Sequence, residues 1–243
     1  MKRHLLAVAV LATLLVSATS EFDFYKLSLM WPPSVCNTGM ECIPKIPKMF
    51  TIHGLWPQYA NDIPVPPYDE DPSCTNIIPT SSDEAMNDLV PIEEELTKYW
   101  PNLFIKDGKR DDQYFWRHEW EDHGMCSDYP DDPRSYFYDT FSLTTQHNPL
   151  EVMGIQPGDE LNEVGTILEA VKQGLGAYPQ IVCNILPRVK TLQLKEIRFC
   201  FERAKPPSVL KNCTNKLAGD CAQLTDLIRF PPPPTVAICN DEL

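Results

Sequence analysis

The fourteen residues Tyr114-Phe115-Trp116-Arg117-His118-Glu119-Trp120-Glu121-Asp122-His123-Gly124-Met125-Cys126-Ser127 hold two histidines, three acids, an arginine, two tryptophans and a cysteine. Read as a helix, the stretch sets His118 four residues before Asp122 and Glu119 four residues before His123. Each pair shares a face, and the two faces adjoin. Two imidazoles and a carboxylate then converge on one patch. A core helix has no use for such a group, whereas general acid–base catalysis does, because imidazole exchanges protons near neutral pH.

Working outward, the flanks read as a mixture of strands and helices. Phe22 to Trp31 alternates as a strand and stops at Pro32-Pro33. Met49 to Pro57 is a second strand running into a turn, with His53 among apolar neighbours. Residues 58–81 form a loop held by Cys74. A helix capped by Ser82 or Asp83 reaches Tyr99, with a break at Pro91. After the connector 101–112 and the central stretch, helices are expected over 135–147 and 159–174, the latter from the spacing of Leu161, Val164, Ile167, Leu168 and Val171. Ile181–Leu186 and Val189–Phe201 read as late strands. The fold class is α+β: an antiparallel sheet packed against several helices in a single disulfide-stabilised domain.

The N-terminus carries Lys2 and Arg3, an apolar run from Leu5 to Val16, and small residues up to Ser20. This is a signal peptide over 1–20, with a domain over 21–231 and a C-terminal tail over 232–243. No run reaches the about 18 apolar residues of a membrane span, so no membrane partner is expected. Losing Lys2 and Arg3 takes the formal charge from −13 to −15. An acidic chain does not hold nucleic acid through a broad basic face, so a polyanionic substrate must be bound locally. All nine cysteines lie beyond residue 20, which reads as four disulfides and one leftover in an oxidising compartment. Asn212-Cys213-Thr214 is the one glycosylation sequon.

Four histidines lie beyond residue 20, and three of them, His53, His118 and His123, fall in the two aromatic-rich stretches. Two histidines beside a phosphate suit one reaction well. One takes the proton of a ribose 2′-hydroxyl, and the other protonates the departing 5′-oxygen. Aromatic side chains can stack the flanking bases.

Phe50-Thr51-Ile52-His53-Gly54-Leu55-Trp56-Pro57 and Phe115 to Cys126 resemble, in order, the two active-site segments of the T2 family of acid ribonucleases, which includes plant S-like and self-incompatibility ribonucleases. The likeness extends over nearly the whole of residues 21–243, through Tyr99-Trp100-Pro101 and the late cysteines. It implies that His53 is the general acid, that His123 is the base, and that His118, assisted by Glu119, binds phosphate or supports the transition state. Trp56, Trp31, Phe115 and Met30 are then the substrate-binding residues. The implied reaction needs no metal or cofactor and runs through a 2′,3′-cyclic phosphate. The implied partner is single-stranded RNA, not DNA. The implied disulfides are Cys36–Cys42, Cys74–Cys126, Cys183–Cys221 and Cys200–Cys213. Cys239 is then unpaired, either free or a link to a second chain of an otherwise monomeric protein.

Three features depart from that pattern. Asp122 stands where the family usually carries lysine, which predicts reduced activity and an acidic optimum, with Arg117 or Lys109 as substitute cation. Met30 stands where plant relatives often have glutamine. The tail Asn240-Asp241-Glu242-Leu243 resembles an endoplasmic-reticulum retention signal. The location is therefore the secretory pathway: extracellular, vacuolar or the endoplasmic-reticulum lumen. The rival reading, supported by Asp122, is a weak or inactive ribonuclease-like storage or defence protein. A zinc protease is disfavoured, because His118 and His123 are five apart rather than the four of H-E-x-x-H.

Overall fold

The computed structural model describes residues 21–233. The expected signal peptide over 1–20, Cys239 and the tail Asn240–Leu243 lie outside the described residues.

Strand β1, Phe24–Met30, is the middle of the fold. It pairs antiparallel with β2, Thr51–Gln58, on one side and with the long β7, Thr191–Glu202, on the other. The strand's period of two sends Tyr25, Leu27 and Leu29 into the main core. It sends Lys26, Ser28 and Met30 to the other face, where they are also buried. That second, polar face is the one on which the site is built.

β7 anchors the rest of the sheet. β6, Gln180–Leu186, and β8, Leu210–Lys211, pair with it antiparallel. Two joins are parallel: β9, Leu217–Gly219, on β6, and β10, Leu227–Arg229, on β7. The sheet is thus antiparallel with two short parallel edges.

Most of the helices bury their apolar residues in the main core. α1, Pro32–Cys36, starts on prolines whose missing N–H groups cost nothing in a first turn. α2, Ser82–Asp88, carries a capping box between Ser81 and Glu84. A 3₁₀ turn over Val90–Ile92 separates it from α3, Glu93–Tyr99, so Pro91 does interrupt the expected helix. Between α3 and α4, Asp112–Glu119, the expected polar connector holds a small hairpin. Its strands are β3, Ile105–Lys106, and β4, Lys109–Arg110, and Asp107 and Gly108 turn it with φ of 53° and 73°. α5, Pro133–Gln146, buries Tyr136, Phe137 and Leu143, and α6, Pro149–Val152, follows it. α7, Val164–Leu175, ends on the left-handed Gly176. The helix expected from Asp159 starts only at Val164. Leu161–Glu163 is instead strand β5, because its backbone pairs with β10. A long-range strand partner overrides a short helical spacing there.

Four disulfides close the domain: Cys36–Cys42, Cys74–Cys126, Cys183–Cys221 and Cys200–Cys213. Trp31, expected on the substrate side, is a core residue. It is fully buried against Phe50 and Phe230, and its indole N–H donates to the Pro231 carbonyl at 2.8 Å.

Candidate active site

α4, Asp112–Glu119, begins where the Asp111 side chain accepts the Tyr114 amide at 2.9 Å. It does not continue as an α-helix. Trp120–Gly124 is wound as a π-helical turn, closed by the Met125 amide on the Trp120 carbonyl at 2.9 Å. The wider turn alters the expected facing. Glu119 turns inward and is 2 % exposed, His123 is half-buried, and His118 stays exposed at the rim. Cys126 pins the end of this segment to Cys74 in the loop beyond β2.

Across from it, β2 presents His53, Gly54 and Trp56. The β2 backbone is held from behind by two aromatic side chains. Trp100 Nε1 donates to the His53 carbonyl at 3.0 Å, and the Tyr136 hydroxyl donates to the Leu55 carbonyl at 2.7 Å. Trp56, expected to shape a base and ribose pocket, is mostly buried. Its ring lies edge-on to His53 with centroids 5.1 Å apart and 5.4 Å from His123. Its N–H donates to Glu119 Oε2 at 3.1 Å. Trp56 therefore spaces the two imidazoles and orients the carboxylate.

The electrostatics of the three buried groups diverge. Burial pushes the Glu119 carboxyl up to about 7, against the opposing pull of His53 and the Trp56 hydrogen bond. Burial and the neighbouring His53 and His118 lower His123 to about 3. His53 goes the other way. Burial alone would lower it, but the hydrogen bond and charge of Glu196 raise it above the ordinary histidine value. Glu196 was not singled out in the sequence. It sits in β7, fully buried, with Oε1 3.2 Å from His53 Nδ1.

Asp122 lies beside His118. Its Oδ1 is 3.5 Å from His118 Nδ1, and partial burial raises its carboxyl. Arg117 is no substitute cation for it, because its guanidinium turns to Asp83 in α2 at 2.8 Å. Lys109 does line the groove.

That groove has a volume of about 780 Å³ and is lined by His53, His118, Phe115, Tyr114 and the hairpin residues Lys106 and Lys109. A smaller, apolar recess opens beside His53, with Met30, Asn102, Phe104 and Phe115 in its wall. Met30 and Phe115 thus share one recess, and Asn102 and Phe104 join them from a segment whose sequence carries no signal beyond Trp100-Pro101. Among the described residues, no group of three or more His, Cys, Asp or Glu is placed to hold a metal ion.

The Ribonuclease T2 family model matches residues 22–213. Ribonuclease 1 of Arabidopsis thaliana is 30 % identical over 195 residues, covering 77 % of this chain and 79 % of that protein. Two solved structures share the fold. RNase NT in complex with 5′-AMP has a TM-score of 0.71 at 28 % identity, over 87 % of this chain and 98 % of that one. An RNase MC1 variant in complex with 5′-UMP has a TM-score of 0.69 at 25 % identity, over 86 % and 99 %. The matched span takes in both histidine-bearing segments and the sheet that joins them, so the chain belongs to the Ribonuclease T2 family and is an endoribonuclease.

Proposed function

We propose that the protein cleaves single-stranded RNA by metal-free transesterification in the secretory pathway. The observation that carries this reading is the opposite displacement of two imidazoles held apart by one indole. His53 is pushed toward its protonated form and His123 toward its neutral form. Titratable pairs driven apart in this way divide into an acid and a base.

His123 takes the proton of the ribose 2′-hydroxyl as O2′ bonds to phosphorus. The P–O5′ bond breaks, and the His53 imidazolium gives its proton to the departing O5′. The product is a 2′,3′-cyclic phosphate and a free 5′-hydroxyl. Water then opens the cyclic phosphate with the two roles exchanged. His118 meets the phosphate at the rim, and Glu119, largely protonated below neutral pH, donates rather than repels. Phe115, Met30 and Phe104 receive a base in the recess beside His53.

Asp122 slows this reaction, because an ionised carboxylate beside His118 repels the phosphate. The raised Asp122 carboxyl favours an acidic optimum, because less of it is ionised as pH falls. The four disulfides fit an oxidising compartment. Asn212 is exposed, and its Oδ1 is occupied by the Tyr178 amide at 2.8 Å, which leaves the amide nitrogen for a glycan.

The test is cleavage of single-stranded RNA by residues 21–243 across pH 4–8 in EDTA, beside His53→Ala. Cyclic-phosphate ends, an acidic optimum and a loss of about 10²–10⁴-fold in the variant are expected. Equal rates in the two proteins, or loss of activity in EDTA, would overturn the reading.

A further inference from the structure

We infer that Glu196 is a positioning residue for His53, fixing its ring orientation and tautomer and retaining the proton that the ring donates. The inference rests on the reading of His53 as the general acid. Glu196 lies on β7 directly opposite Met30 in the β1 register, on the polar face of the sheet.

Its carboxylate has little freedom. Oε1 faces His53 Nδ1 at 3.2 Å and Lys195 Nζ at 3.5 Å. Oε2 accepts the Ser28 hydroxyl at 2.9 Å and the Arg198 guanidinium through Nε at 2.9 Å and Nη2 at 2.7 Å. A carboxylate with no exposed surface is costly to bury unless it is paired and hydrogen-bonded on both oxygens. Here both oxygens are partnered, and the side chain aims at one ring nitrogen of a residue in the cleft.

The consequence for His53 is chemical. Burial alone would raise Glu196, but His53, Arg198 and Lys195 together hold it well below the usual carboxylate range, so it is ionised and can only accept. The proton between the two must therefore sit on His53 Nδ1. Nε2 is then the nitrogen left for substrate, and the His53 side chain is still 33 % exposed. Other charged or titratable groups around His53 are Arg198 and Lys195 from β7, Glu119 and His118 from α4, His123 from the π turn and, across the groove, Lys106, Asp107, Lys109 and Asp111. Of these, Arg198 opposes a proton on the ring and Glu119 favours one, and Glu196 is the carboxylate in hydrogen-bond contact with it. The same Arg198 guanidinium lies over the Trp56 ring at 4.9 Å. One buried ion pair thus sets both the acid and the indole that separates it from the base.

Glu196→Gln keeps the shape and removes the charge. Two readouts separate its hold on His53 from the role of His53. NMR titration of the His53 ring, assigned by its absence in His53→Ala, should show the midpoint falling by about 1–3 pH units, as loss of an opposite charge within hydrogen-bond range does. The alkaline limb of kcat/KM should fall by the same amount, leaving the rate near pH 4.5 within about threefold of wild type and cutting it about tenfold or more at pH 7.5. An unmoved titration with a pH-independent loss of rate would make Glu196 merely structural and overturn the inference. A shifted titration with an unshifted limb would leave the Glu196 contact standing and overturn the acid role of His53. Should the variant not fold, the wild-type His53 midpoint decides: above 6.5 supports the inference, at or below it overturns it.

Discussion

Gly54 lies directly against Glu119: a Cβ on residue 54 would overlap the Glu119 carboxylate and the Trp56 indole nitrogen. The glycine is there for close approach, not for an unusual backbone angle. It lets the buried carboxylate of α4 reach across to β2 and take the Trp56 N–H. Gly54→Ala must push Glu119 or Trp56 aside. Overpacking of this kind costs about 1–3 kcal/mol, measurable by denaturant unfolding. Displacing the carboxylate by about an ångström should also lower kcat by up to about 10²-fold. A folded variant with wild-type kcat would show that the contact between β2 and α4 does not govern the site.

Asp122 sits 3.5 Å from His118, and on the proposed reading it presents the wrong charge to a phosphate. Replacing it by lysine removes a repulsion and adds an attraction. A single stabilising donor is worth about 10²–10³ in rate, so Asp122→Lys should raise kcat at pH 7 by about tenfold or more. The advantage should shrink toward pH 4, because the raised Asp122 carboxyl becomes neutral as pH falls and its repulsion disappears. Asp122→Asn should fall between the two proteins at neutral pH. An unchanged or lower kcat in the lysine variant would sink this account.

Much of this arrangement could be read before any coordinates. The pairing of His53 with the His118–His123 stretch, the strand–helix alternation and the break at Pro91 all follow from local residue patterns. What escaped has a common cause. Lys26 and Ser28 alternate with apolar residues in β1, a pattern that ordinarily marks a solvent face. In the fold that face is covered. Lys26 pairs with Asp62 and Gln180, and Ser28 with Glu196 and Arg198. A polar face and a buried polar network look alike in one strand, because the difference lies in distant partners such as Gln180, 154 residues from Lys26, and Glu196, 168 residues from Ser28. Trp31 fails in the converse sense, since its indole N–H finds a partner in Pro231 that no local pattern announces. The π turn is a third case. It moves His123 relative to Glu119, and nothing in Trp120–Gly124 distinguishes it from an ordinary helical turn.

The lowered His123 fixes the shape of the pH–rate profile. A base must be neutral to act, and burial with two histidine neighbours brings His123 down to about 3. It is therefore neutral throughout pH 4–8. The acidic limb of kcat/KM should lie below about pH 4.5, well under the range of an ordinary histidine. The alkaline limb belongs to His53, which must keep its proton and loses it only above its raised value. The measurement is kcat/KM on a dinucleotide between pH 3 and 9. An acidic limb near 6.5 would remove His123 from the role of base.

Glu119 links the site to stability. Its carboxyl stands at about 7 in the fold against an ordinary 4.5, so between those values the folded protein binds a proton that the unfolded chain does not. Stability from this group is complete below about pH 4.5 and is lost as pH rises through 7. Glutamine at this position mimics the neutral acid at every pH. Glu119→Gln should match wild type near pH 4 and exceed it by about 1–3 kcal/mol at pH 8, a difference readable from denaturant midpoints at the two pH values. His123 works in the opposite sense, since a lowered histidine gains stability as pH rises from about 3 to 6.5, but it contributes equally to both proteins and cancels in the difference. The variant should at the same time be slower in RNA cleavage, because the titrating group beside Trp56 and His53 is gone. Stability curves that run parallel from pH 4 to 8 would mean that Glu119 is ionised in the fold, and that water or a neighbour not yet counted supports its charge.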